Sequence, residues 1–239
     1  MRALNLPVIT LIMQNPILVA IDTTDIPRAK ALVSAVAPHV GGIKLGLEFF
    51  TAHGAAGVRE VAGEVPVFLD LKFHDIPNTV AGAIRATAGI NCFMMTVHAC
   101  GGGDMLRAAK RAANDLPNRP KVVGVTVLTS MDEADLHGTG VKTPLEEQVL
   151  NLTDLANDSG LDGIVCSPRE ISAIRARVGS EFTLVTPGIR PSGSDKGDQK
   201  RIMTPKEAVV EGSNYLVIGR PITQSDNPAQ AAADIFASL

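Results

Sequence analysis

Eight times, a short apolar run is followed by a stretch with helical periodicity. That alternation constrains the fold more than any other feature of the chain. The runs are 16–22, 42–46, 65–69, 92–98, 122–128, 163–167, 183–186 and 215–220. They are rich in Val, Ile and Leu and lack the in–out polarity of a half-solvated sheet, as expected of parallel strands covered on both faces. Strand-then-helix units in series define the α/β class, and eight of them predict a (β/α)8 TIM barrel. A doubly wound open sheet would share the alternation. The eighth unit, and the absence of Gly-x-Gly-x-x-Gly after the first run, weigh against it.

A length of 239 residues, 45% hydrophobic, suits one domain with a large core. Residues 16–239 are expected to form the barrel and residues 1–15 an extension outside it. Pro7 interrupts the early apolar run and no small-x-small site precedes Pro16, which argues against a signal peptide. Met13 is a candidate natural start. Helices are expected from Thr24 or Asp25 to about Ala37, over 48–62, from Asn78 or Thr79 to Ala88, and up to Asn114. Further helices are expected over 144–158 and 168–177, near Pro205, and over 228–237. The segment around Asp135 and His137 reads as a polar loop.

The chemistry concentrates at Asp70-Leu71-Lys72-Phe73-His74-Asp75-Ile76-Pro77-Asn78-Thr79. Asp70 and Lys72 are two apart, so on a strand they share a face. Asp75 follows three residues later, where Pro77 forbids a continuing ladder. A lone Asp-x-Lys reads as a strand-end ion pair. Three charges, a His and a Pro at the carboxyl end of a strand read as a functional site, a cation held between two anions.

In a barrel the carboxyl ends of all strands meet on one rim. That rim would gather Asp22, Lys44, Asp70 with Lys72, His98, Thr129-Ser130, Arg190 and Gly219-Arg220. Two Lys among several Asp suggest an alternating charge network. Arg190 and Gly219-Arg220 follow the seventh and eighth runs, where barrels commonly bind phosphate. There Gly lets backbone N–H groups approach an anion, and Arg offers a fork of donors. The stretch 191–201, with Gly193, Ser194 and Gly197 for flexibility and Lys196, Gln199 and Lys200 as donors, reads as a lid. His74 and His98 read as structural, because no metal-ligand spacing accompanies them. Gly101-Gly102-Gly103 fits a tight turn or an anion cradle, and Met94 and Met95 fit the core or barrel lining.

A net charge of −3 without a dense basic block argues against a nucleic-acid partner. Aromatic residues are 3% and Trp is absent, so base-stacking platforms are not expected either. No stretch approaches a membrane span. Cys92, Cys100 and Cys166 form no Cys-x-x-Cys, and their odd number fits a reducing compartment, hence a cytoplasmic location.

From Pro16 onward the sequence resembles the orotidine 5′-monophosphate decarboxylases. The resemblance rests on 70–79, on Val125-Thr126-Val127-Leu128-Thr129-Ser130, on Thr186-Pro187-Gly188-Ile189-Arg190-Pro191 with Gly197-Asp198-Gln199, and on Tyr215-Leu216-Val217-Ile218-Gly219-Arg220-Pro221-Ile222. It implies a homodimeric, cofactor-free, metal-free barrel lyase that makes uridine 5′-monophosphate, the last step of pyrimidine nucleotide synthesis. It further implies Lys72 as proton donor, Asp70 against the substrate carboxylate, Lys44 holding Asp70 and touching the ribose, and Asp22 on the ribose hydroxyls. Asp75 and Thr79 would enter the partner's site. Ser130 and the neighbouring backbone would recognise the pyrimidine, with Thr129 and Pro187 in the binding set. Arg190, Gln199, Gly219 and Arg220 would hold the phosphate. Related sugar-phosphate decarboxylases and synthases share Asp-x-Lys-x-x-Asp but use a divalent metal. The continuation His-Asp-Ile-Pro-Asn-Thr favours the nucleotide enzyme.

Overall fold

The structure is a computed structural model and describes residues 15–191 and 203–239. The extension expected over 1–15 therefore lies, except for Asn15, outside the described residues. The expected lid lies outside them beyond Pro191.

Eight parallel strands close in sequence order: β1 (Ile17–Ala20), β2 (Gly42–Gly46), β3 (Val67–Phe73), β4 (Cys92–His98), β5 (Lys121–Val125), β6 (Gly163–Val165), β7 (Thr183–Thr186) and β8 (Tyr215–Ile218). Ile17 pairs with Leu216 to seal β1 against β8. The helices are α1 (Ile26–Val36), α2 (Leu47–Ala62), α3 (Pro77–Ala86), α4 (Gly103–Asn114), α5 (Glu133–Gly138), α6 (Leu145–Asp158), α7 (Ile171–Arg175), α8 (Pro205–Val210), α9 (Arg220–Thr223) and α10 (Pro228–Ala237). This is the expected TIM barrel.

The period-two alternation of each strand sorts its side chains between two cores. Leu18, Phe68, Met94, Val123, Val185 and Val217 fill the barrel interior. Ile17, Val19, Leu69, Met95 and Val122 face outward into the larger core shared with the helices. Met94 and Met95 thus take the two expected roles, one each. The interior plug closes the barrel below the rim, so a ligand can enter only from the carboxyl end.

Local chemistry sets the helix starts. The Asp25 carboxylate accepts from the Arg28 N–H at 2.8 Å and caps α1, with Pro27 in the first turn. α3 begins at Pro77 itself, ahead of the expected Asn78 or Thr79, because Pro needs no N–H partner at a first helical position. Two short helices were not anticipated. α5 is nucleated by reciprocal capping between Asp132 and Asp135, a carboxylate version of the usual Ser/Thr–Glu box. α9 starts at Arg220, so the eighth strand ends at Ile218 and the arginine sits on a helical turn. β5 leaves its ladder at Val125, three residues early, which turns Val127, Leu128 and Thr129 over the barrel mouth. Gly102, at φ 84°, makes the tight turn into α4. Among the described residues no helix is long and apolar enough to cross a membrane.

Candidate active site

Four charges of alternating sign cross one side of the rim. Asp22 stands just past β1, Lys44 near the end of β2, and Asp70 and Lys72 at the end of β3. The Lys44 ammonium lies 3.4 Å from Asp22 and 3.7 Å from Asp70, and the Lys72 ammonium lies 2.9 Å from Asp70. Exposure drops from Asp22 to Lys44 and Asp70 and rises again at Lys72. The Asp22 side chain is 63% exposed and that of Asp70 only 12%. The innermost member is thus an anion between two cations, not the cation between two anions suggested by local spacing.

Burial pushes the Asp70 carboxyl up. The charges of Lys44 and Lys72, with hydrogen bonds from Lys72 and Thr96, outweigh burial and hold it below its usual range. Asp70 is therefore ionised at neutral pH.

Asp70 and Lys72 meet, but not by regular alternation. The β3–β4 register advances from Leu69↔Met95 to Phe73↔Val97, four residues against two. At this break Lys72 takes φ 50°, a left-handed backbone uncommon for a residue with a side chain. Such a conformation costs on the order of 1–3 kcal/mol and collects where surrounding structure enforces it. Bulges near sites commonly re-aim one side chain, and this one sets the Lys72 ammonium beside Asp70.

A cavity of about 480 Å³ opens over the array. Of the residues singled out from sequence, Asp22, Lys44, Asp70, Lys72, Thr129, Pro187, Arg190, Gly219 and Arg220 line it. Arg190 is 7% exposed and donates to the Ile189 carbonyl at 2.9 Å, so its guanidinium is held against the cavity wall. Arg220 is exposed on the far rim. Gly188, at φ 79°, makes the left-handed turn between Pro187 and Ile189 that a side chain would strain. The cavity therefore has a lysine-bearing end and an arginine-bearing end.

Other candidates fall elsewhere. Asp75 and Thr79 are exposed outside the cavity, as is Ile76 at 68%. The Asp75 carboxylate accepts from the Ile76 N–H at 2.7 Å and forms no ion pair with Lys72. Ser130 is exposed and does not line the cavity. Gln199 lies outside the described residues. His74 and His98 form a tilted ring pair, centroids 5.5 Å apart. Burial, then His74 and Lys72, lower the His98 pKa against the opposing pull of Asp70. Among the described residues no group of three or more His, Cys, Asp or Glu could hold a metal ion.

Sequence reasoning missed Arg28, Thr23 and Gln224, which also line the cavity. They sit in the first turn of α1, in the β1–α1 loop and after α9, away from the strand ends where polar groups were sought. Thr96 was missed because a Thr inside Met-Met-Thr-Val reads as core.

An apolar barrel interior beneath a cavity lined by charged residues at the carboxyl end is the arrangement of the (β/α)8 enzymes. Within that class it belongs to the Orotidine 5′-phosphate decarboxylase / HUMPS family, whose sequence profile matches residues 15–235. It is 55% identical to the orotidine 5′-phosphate decarboxylase of Rhodospirillum rubrum over 226 residues, 92% of each chain. Identity to that of Paramagnetospirillum magneticum is 52% over 233 residues, 95% of this chain and 99% of the other. The crystal structure of the enzyme from Lactobacillus acidophilus superposes with a TM-score of 0.83 at 36% identity, covering 92% and 97% of the two chains.

Proposed function

We propose that this chain decarboxylates orotidine 5′-monophosphate to uridine 5′-monophosphate and carbon dioxide, completing pyrimidine nucleotide synthesis without a cofactor. The observation that carries the reading is the Lys72 ammonium, 2.9 Å from a buried carboxylate at the head of a cavity whose other end holds Arg190 and Arg220. Relatives about half identical in sequence carry the same activity in their names.

Loss of carbon dioxide from the pyrimidine leaves an electron pair in an in-plane orbital at carbon 6, which the ring π system cannot delocalise. A preorganised cation beside that carbon is the direct remedy. Lys72 supplies it and then gives its proton to the same carbon. Asp70 lies against the substrate carboxylate and opposes its charge. Lys44 holds Asp70 and reaches the ribose, and Asp22 takes ribose hydroxyls. Ser130 and the neighbouring backbone recognise the pyrimidine, with Thr129 and Pro187 in the binding set. Arg190, Gln199, Gly219 and Arg220 hold the phosphate, whose binding energy offsets the unfavourable placement of two carboxylates.

The exposed Asp75, Ile76 and Thr79 are read as a dimer surface that delivers Asp75 and Thr79 to the partner's site. The protein is placed in the cytoplasm, with no nucleic acid or membrane partner.

Mixing chains tests the activity and the shared site together. Lys72→Ala and Asp75→Ala should each lack activity alone. In a mixed dimer one site carries both changes and the other carries neither, so random exchange should restore about a quarter of the unmodified rate. No rescue, with subunit exchange confirmed, would remove Asp75 from the partner's site. No carbon dioxide release by the unmodified chain would contradict the reading itself.

A further inference from the structure

We propose that Thr96 is a positioning residue that locks Asp70 and the strained Lys72 backbone into one unit, and that turnover depends on its hydroxyl. The inference rests on the decarboxylase reading for its assay but on geometry for its substance.

Thr96 is 0% exposed, in β4, directly beside the register break in β3. By alternation it shares the inward face of β4 with Met94, as Asp70 shares the inward face of β3 with Phe68. The two therefore sit in the layer immediately above the apolar plug. The Lys72 N–H donates to the Thr96 hydroxyl oxygen at 2.7 Å, and the Thr96 hydroxyl donates to Asp70 Oδ1 at 3.0 Å. A hydroxyl carries one donor and two acceptor sites, so it makes both bonds at once. Asp70 Oδ1 is also the atom that receives the Lys72 ammonium. The result is a closed loop: Lys72 backbone, Thr96 hydroxyl, Asp70 carboxylate, Lys72 ammonium.

Each link has a physical reason. The register break deprives the Lys72 N–H of a regular ladder acceptor, and a buried N–H must find another. The Thr96 oxygen supplies it and so holds the left-handed turn that aims Lys72. The same hydroxyl fixes which way the Asp70 carboxylate faces. Threonine suits the task because branching at Cβ restricts χ1 and leaves the hydroxyl little freedom. Here one atom joins the two groups whose relative placement the chemistry requires, and small displacements of such groups cost rate steeply.

Three variants separate the hydroxyl from the methyl. Thr96→Val keeps the shape and removes the hydroxyl. Thr96→Ala and Thr96→Ser both remove the methyl, and only Ala also removes the hydroxyl. Val and Ala should lower kcat roughly 10- to 100-fold, while the dissociation constant of uridine 5′-monophosphate stays within about threefold, because the phosphate grip lies at the other end of the cavity. Ser should recover to within about threefold of the unmodified kcat, since the hydroxyl is what matters.

A folded Val or Ala variant with unchanged kcat would overturn the proposal, as would a Ser variant no better than Ala. Failure of both Val and Ala to fold while Ser folds would assign Thr96 to barrel stability instead and also overturn it. The unmodified chain, run in parallel, isolates failure of the decarboxylase reading, because in that case it too would leave orotidine 5′-monophosphate intact.

Discussion

Lys72→Ala is expected to abolish turnover and leave the barrel folded. In the proposed reaction the Lys72 ammonium would face a full negative charge developing at a fixed point. At an effective dielectric of about 20, unit charges roughly 4 Å apart attract by about 4 kcal/mol, about a thousandfold in rate. Loss of proton donation removes a further factor of about 10² to 10⁴. The combined loss should reach about 10⁵-fold or more. The fold should survive because Asp70 keeps Lys44 at 3.7 Å and the Thr96 hydroxyl at 3.0 Å. The stability cost should be about 1–3 kcal/mol, less than for a buried charge left with no partner. Stopped or manual assays of kcat, beside circular dichroism and thermal melting, would check both halves. Activity above about 1% of the unmodified rate would remove Lys72 from the centre of the mechanism, since neither effect alone is that small.

Arg220→Ala should cut catalytic efficiency about 10²- to 10³-fold for the phosphorylated nucleotide, the loss of one or two charge-assisted hydrogen bonds. For the bare nucleoside the change should be under about threefold, because there is no phosphate to hold. Arg220 lines the cavity as the first residue of α9, and in the proposed reaction it would hold the phosphate rather than act on carbon 6. Part of the nucleotide loss should nevertheless appear in kcat. On the proposed mechanism, remote binding energy would offset the repulsion between Asp70 and the substrate carboxylate, so weakening the grip should slow the chemistry as well as raise KM. Measuring both substrates with both proteins would decide it. Equal losses would rule out a phosphate role for Arg220.

The barrel was legible because its signal is distributed. Each strand is buried on both faces, so each announces itself as an apolar run, and small errors at the ends of β5 and β8 leave the topology intact. The rim was legible for the same reason: Asp22, Lys44 and Asp70 are charges at the ends of apolar runs, where only a site or an interior ion pair explains them. What stayed hidden depends on backbone detail. Period-two spacing put Asp70 and Lys72 on one face, but they meet through a left-handed Lys72 and a two-residue bulge that no residue pattern announces. Thr96 looked like core because a buried hydroxyl with two partners has the same sequence signature as one with none. Asp75 looked like a partner for Lys72 because it is three residues away. Pro77 then starts α3, and the turn into that helix carries Asp75 outward. Arg28 was passed over because it belongs to a helix, although the first turn of α1 overhangs the same cavity.

Two readings compete within the family, and one paired assay separates them most directly. Purified protein stripped with excess chelator would be offered orotidine 5′-monophosphate, followed by loss of orotate-ring absorbance with carbon dioxide measured, and in parallel a hexulose- or ketogulonate-type sugar phosphate. The account predicts full decarboxylation of the nucleotide in the presence of chelator, stoichiometric uridine 5′-monophosphate, and no turnover of the sugar phosphates. Sugar-phosphate turnover restored by a divalent metal, with the nucleotide left intact, would contradict it.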